Sequence, residues 1–300
     1  MGSFWKSRTS GLFLPAPKFT DTSRYERMPM AEVQKEAEEI ELLLQKHGVT
    51  LGASSDLLKM MFLAKQARKK YIGCSFTTLE LFRLLQFRRI SEAMIVLKSE
   101  KDPSRYLRTL ARGSLDLFSK RRSRAKDALW ELELCAMLRR GLKSTYLLDP
   151  PDIMIEYKDA RLGVSCKKIY SESHMQNIMS EAMGQIRATC EVGVIAMNLD
   201  SMIPYNAVLR ESTFESAIER LDQTMAAFLE RHQRHFKRYF ARKNLLAVLA
   251  TISPVSEIIS SRIPYNTVTQ SRIWTTPETR SRLGLHFEHF RKHIEAIGSI

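Results

Sequence analysis

The sequence is poor in several features that would commit a chain to a simple answer. Its four cysteines, Cys74, Cys135, Cys166 and Cys190, lie far apart and form no CxxC pair. That excludes zinc ribbons and argues against a disulfide scaffold. No stretch approaches the ~18 apolar residues that a bilayer-crossing helix needs. The short apolar piece Leu12-Phe13-Leu14 is cut by Pro15 and Pro17, so it makes no secretory h-region, and Lys6 breaks the myristoylation pattern that Gly2 begins. There is no G-x-G-x-x-G or Walker-type loop, so nucleotide binding finds no support in motif. Acidic residues are scarce beside basic ones: 33 Asp and Glu face 47 Lys and Arg, a net charge of +14. An excess of that size points to a polyanionic partner. The expected setting is cytoplasmic, reducing and without a membrane partner.

What is present is an ordinary globular composition, 44% hydrophobic and 27% charged over 300 residues, enough to bury a sizeable core. Residues 1–28 mix Gly, Ser, Thr, Pro and scattered aromatics without a period and read as an irregular arm. From Met30 the period becomes helical. Val33, Ala37, Ile40 and Leu44 share one stripe, and Gly48 follows as a stop. Further helices are predicted over about 55–71, from Thr78, and after Pro103. Residues 29–118 therefore form a helical module, and 119–300 an α/β domain.

In that second part a helix over 127–140 ends at Gly141, and the period then changes to two. Strands are expected at 143–148, 152–157 and 161–169, a helix at 173–190 and a buried strand at 192–199. A long charged helix (213–242), a strand (245–252) and a terminal helix (278–297) complete the chain. Alternation puts Ser165 and Lys167 on one face of their strand and Val164 and Cys166 on the other. The gap from Asp152 to Lys167 suits a hairpin turning at Lys158-Asp159-Ala160. A carboxylate at a strand end can hold Mg²⁺, which prefers hard oxygens, and a neighbouring lysine can orient water or stabilise charge growing on a phosphate.

The order helix, strand, strand, strand, helix, strand carries Trp130–Gly141, Pro150-Pro151-Asp152-Ile153, Val164-Ser165-Cys166-Lys167-Lys168 and Gly184-Gln185-Ile186. This resembles the PD-(D/E)XK nuclease superfamily over residues 125–200. The resemblance implies an α/β fold with a restriction-endonuclease-like αβββαβ core, and phosphodiester cleavage with Mg²⁺ or Mn²⁺, in DNA ahead of RNA. It assigns Asp152, Glu131 and Lys167 to catalysis. Asp152, Glu131 and the Cys166 carbonyl become metal ligands, with Asp127 a further candidate one turn from Glu131 and Glu133 the fallback for Glu131. Ser165 and Gln185 support the site. Glu156 shares a strand face with Asp152 but lies roughly 13 Å along it, too far to share an ion. One position departs: Ser165 stands where the family has its acid before x-Lys. Either another carboxylate substitutes, or metal binding weakens, or the chain is a non-catalytic nucleic-acid-binding protein on the same fold. A homodimer is compatible with any of these.

Phosphate contacts are expected from Lys120, Arg121, Arg122 and Arg124, which crowd a helix N-terminus, and from Arg231, Arg234 and Arg238, spaced as one stripe on the long helix. His286, His289 and His293 share a helix face without cysteine partners and read as a polar surface. Ser165, Ser171 and Ser173 near His174 lack a nucleophile elbow.

Overall fold

Apolar stripes at helical spacing become helices, and each buries its stripe. Val33, Ala37, Ile40 and Leu44 are all buried on α1 (Met30–Lys46). Gly48 ends that helix at φ 62°, a conformation in which a side chain would be strained. The computed structural model describes residues 13–15, 30–72, 76–141, 144–203, 208–242, 244–261 and 265–298. Helices α2 (Asp56–Ile72), α3 (Thr78–Met94) and α4 (Ser104–Arg112) follow α1. A capping box fixes the start of α3: the Thr77 hydroxyl accepts from the Glu80 N–H while Glu80 reaches back to the Thr77 N–H. Helix α5 (Arg124–Gly141) begins three residues before the expected start. Of the expected arm at 1–28, only the strand β1 (Phe13–Pro15) lies among the described residues.

The period-two segments form the centre of a seven-stranded mixed sheet. Its strands are β2 (Thr145–Leu147), β3 (Ile153–Glu156), β4 (Arg161–Lys168), β5 (Gly193–Asn198), β7 (Leu245–Ile252), β10 (Gln270–Trp274) and β1. They lie in the order β1-β10-β7-β5-β4-β3-β2. The hairpin is formed as expected, with Ile153 opposite Val164 and Ile155 opposite Leu162 in antiparallel register. Strands β4, β5 and β7 run parallel, so their carboxyl ends emerge at one edge of the sheet. A second sheet holds β6 (Leu209–Glu211), β8 (Val255–Ile258) and β9 (Tyr265–Thr267).

Alternation along the strands sorts the core into two layers. Val164, Cys166, Val194, Ala196 and Leu249 pack with α1–α5 and with α10 (Gly284–Gly298). Ile195, Met197, Val248 and Ala250 pack with α6 (Met175–Thr189), α7 (Phe214–Arg231) and α8 (Gln233–Phe240). The N-terminal helices thus share one hydrophobic core with the sheet. Gly193 permits the close packing beneath α6, because a Cβ there would meet the Gly163 carbonyl at 2.7 Å and Ile186 at 2.6 Å.

Two expected helices are each two. The helix expected over 213–242 breaks at His232, whose φ −101° and ψ 6° separate α7 from α8. The terminal segment divides into α9 (Pro277–Arg282) and α10. Among the described residues no helix is long and apolar enough to cross a membrane.

Candidate nucleic-acid site at the strand ends

Because β3 runs against β4, the residue before β3 meets the carboxyl end of β4. Asp152 occupies that place and is buried. Its Oδ2 accepts the Cys166 N–H at 2.5 Å. Burial pushes the Asp152 carboxyl up, while the Cys166 N–H, the Lys167 ammonium and the Ser165 hydroxyl act the other way. Lys167 is expected beside Asp152; the Lys167 charge reaches the Asp152 carboxyl without an ion pair between them. The Lys167 Nζ itself lies 2.7 Å from the Glu181 Oε1 of α6, a partner that nothing in the local motif announces. Ser165 is wholly buried and donates to Gln185 Oε1 at 2.6 Å.

Glu131 approaches from the other layer, on α5. The Tyr106 hydroxyl of α4 donates to its Oε2 at 2.6 Å. Burial, reinforced by the nearby Asp152 charge, pushes the Glu131 carboxyl up to about 7. The folded protein therefore keeps a proton that the unfolded chain releases near 4.5, so stability falls as pH rises between these values. Glutamine can accept the same Tyr106 bond without a charge. Glu131→Gln is expected to exceed the wild type in stability by about 3 kcal/mol at pH 8, and by little near pH 4.5. Urea unfolding across that range checks this, and a pH-independent difference would refute the assignment.

The other candidate acids turn elsewhere. Asp127 accepts from Tyr170 at 2.9 Å and faces Arg122, Lys168 and Lys126. Glu133 binds Arg89. Among the described residues, no three His, Cys, Asp or Glu side chains stand together so as to hold a metal ion. Mg²⁺ asks for several hard oxygens in near-octahedral array. Here Asp152 has an oxygen bound to the Cys166 N–H, Glu131 accepts from Tyr106, and Ser165 donates to an amide. This residue set does not fit Mg²⁺.

The basic groups divide in two. Lys120, Arg121, Arg122 and Arg124 are exposed beside the end of β4, joined to it by a contact of 3.4 Å between the Ser123 N–H and the Tyr170 hydroxyl. Lys126, two residues beyond Arg124, is buried and donates to the Ser119 carbonyl at 2.7 Å. The expected stripe on one long helix is corrected. Arg231 ends α7 and pairs with Glu172 at 2.8 Å, while Arg234 and Arg238 are exposed on α8. The reason is the break at His232, which also binds Glu172 at 2.7 Å. The histidines of α10 are not all surface either. His293 is buried with its Nε2 2.6 Å from the Leu138 carbonyl, and His289 stacks on Tyr157.

Sequence reasoning missed a charge network at the ends of β4, β5 and β7. The Arg89 guanidinium of α3 donates to Glu133 Oε2 at 2.9 Å, Asp200 Oδ2 at 2.7 Å and the Ser253 carbonyl at 3.0 Å. Lys168 Nζ adds Asn198 Oδ1 at 2.6 Å and Asp200 Oδ2 at 3.6 Å. No family model matches the chain, and neither a curated protein nor a solved structure matches it.

Proposed function

We propose that this chain is a nucleic-acid-binding protein on a restriction-endonuclease-like core that has lost metal-dependent cleavage. The observation that carries the reading is the open end of the β3–β4 hairpin. There the Asp152 carboxyl feels the charges of Glu131 and Lys167, one acid short of the set the nuclease resemblance implies, with Ser165 tied to Gln185. Supporting it, β2, β3 and β4 form an antiparallel meander, β5 joins parallel to β4, and α5 and α6 pack on opposite faces. The exposed Lys120, Arg121, Arg122 and Arg124 supply phosphate contacts beside that end. DNA is the favoured polymer, since the nuclease resemblance extends to it first.

Duplex DNA affinity is expected to fall steeply with salt. Replacing Lys120, Arg121, Arg122 and Arg124 together by Ala should flatten the log-affinity against log-salt slope by about 3–4 units, roughly 0.9 for each lost contact. Arg231→Ala should leave the slope unchanged, because its guanidinium is already paired with Glu172. Fluorescence anisotropy over a salt series reads both. Binding that ignores salt would remove the reading. The opposite reading, a working nuclease, draws on the Lys167 charge acting on Asp152. Nicking of supercoiled DNA by the wild type in Mg²⁺ or Mn²⁺ would establish it instead.

A further inference from the structure

A shallow crevice of about 50 Å³ opens where the carboxyl ends of β5 and β7 meet α3 and the 117–120 segment. Ligands of open α/β sheets gather outside the carboxyl ends of parallel strands. The chemistry of the lining narrows the ligand. Gln86 of α3 is 4% exposed and lines the crevice, yet its amide finds no hydrogen-bonding partner among the described residues. The amide reaches the crevice, so whatever fills the crevice, water or ligand, supplies its hydrogen bonds.

Phe118 forms part of the wall. It is tilted 45° to Phe82 at 5.7 Å, and Phe82 meets Tyr265 edge-on at 5.2 Å. The segment that carries Phe118 is held in place from below, with Lys126 Nζ donating to the Ser119 carbonyl and the Phe118 N–H donating to Asp116 Oδ1 at 3.1 Å. Lys120, exposed and unpaired among the described residues, also lines the crevice. Arg89 and Asp200 lie against it but neutralise each other. An apolar ligand would leave the Gln86 amide unsatisfied. A bare phosphate would ignore Phe118. What fits is a flat ring with a donor–acceptor edge and one anionic group.

We propose that this crevice binds a single nucleotide, its base stacked on Phe118 and paired through the Gln86 amide, its phosphate on Lys120. An amide presents one donor beside one acceptor, and every nucleobase has an edge that complements it. Stacking on an aromatic side chain is likewise indifferent to base identity. The site uses no glycine-rich loop, which is why motif reading passed over it. It does not depend on the polymer-binding site: the two lie at the same sheet edge but share only Lys120.

The test is isothermal titration of the full chain with AMP, GMP, CMP and UMP, with adenosine and ribose 5-phosphate as controls. At least one monophosphate is expected to bind with a Kd below about 1 mM, while ribose 5-phosphate does not bind. Gln86→Leu and Phe118→Ala should each raise that Kd at least tenfold, and Lys120→Met should weaken AMP but not adenosine. Gln86→Glu, which keeps the shape and removes the donor, carries the test should Gln86→Leu fail to fold. The proposal is overturned if no monophosphate binds at millimolar concentration, if ribose 5-phosphate binds as tightly as AMP, or if Phe118→Ala and the Gln86 variants leave the Kd unchanged. Duplex DNA bound without any monophosphate would remove this pocket alone. Monophosphates bound without DNA would remove the polymer-binding reading and leave the pocket.

Discussion

Arg89→Ala is expected to lower the unfolding free energy by about 3–5 kcal/mol at neutral pH, the cost of leaving buried charge without its partner. The guanidinium sits between Glu133 and Asp200, and the three side chains are each 15% exposed or less. Burial alone would push both carboxyls up. At Glu133 burial prevails over Arg89 and the carboxyl is raised. At Asp200 the charges of Arg89 and Lys168 prevail over burial and hold the carboxyl at about 2. A depressed carboxyl contributes stability above its unfolded value near 3.8, and that contribution is lost as pH falls toward 2. Without Arg89 much of the Asp200 contribution disappears, and both acids must be buried charged or take up protons. The deficit should therefore be largest at pH 7–8 and shrink toward pH 4, where protonation relieves it. Urea unfolding of the two proteins at several pH values measures this. A deficit that is small, or that grows toward acid, would mean that the network contributes little to the fold.

That network shows where sequence reading stops. Arg89 lies in a helix with Leu85 and Phe87, 44 residues from Glu133 and 111 from Asp200. No local pattern joins residues so far apart: α3 packing on α5 brings Arg89 to Glu133, and the parallel strands bring Asp200 to both. The hairpin was legible because its information is local: alternation in Ile153–Glu156 and Arg161–Lys168, two prolines before it and a polar turn between. The break at His232 was not, because Arg231-His232-Gln233 contains neither Gly nor Pro, and the polar face of α7 continues in register into α8. Strands β6, β8, β9 and β10, of three to five residues each, were missed. Within the site, Asp152, Lys167, Ser165 and Gln185 were named through the nuclease resemblance, and of these Ser165 and Gln185 share a hydrogen bond. Tyr106 and Glu181 could not be named, since each depends on how a helix packs over the sheet. Gln86 reads in sequence as one polar residue between apolar ones. Only the crevice gives its amide a meaning.

Ser165→Asp tests whether one missing acid is all that separates this site from a metal centre. The hydroxyl is wholly buried, with Asp152 and Lys167 nearby and Gln185 in contact. A carboxylate there, little larger than serine, adds a buried negative charge close to Asp152. In EDTA at pH 8 the variant should be about 3–5 kcal/mol less stable than the wild type, as expected for a buried charge without compensation. Burial would raise the new carboxyl, so its cost should shrink as pH falls below its folded value and the group takes up a proton. Added Mn²⁺ or Mg²⁺ should then raise the melting temperature of the variant and leave the wild type unmoved, because only a state with enough hard oxygens gains from the ion. Stabilisation of the wild type by the same ions would show that Asp152 and Glu131 already hold a cation, and the loss of metal chemistry would be withdrawn. Cleavage by the variant alone would show that the rest of the site, Lys167 included, still has the geometry of a nuclease. A variant that binds the ion and cuts nothing would place a second defect at Lys167, whose ammonium lies 2.7 Å from Glu181. In that case the double variant, Ser165→Asp with Glu181→Gln, leaves Lys167 without that charged partner and is expected to cut.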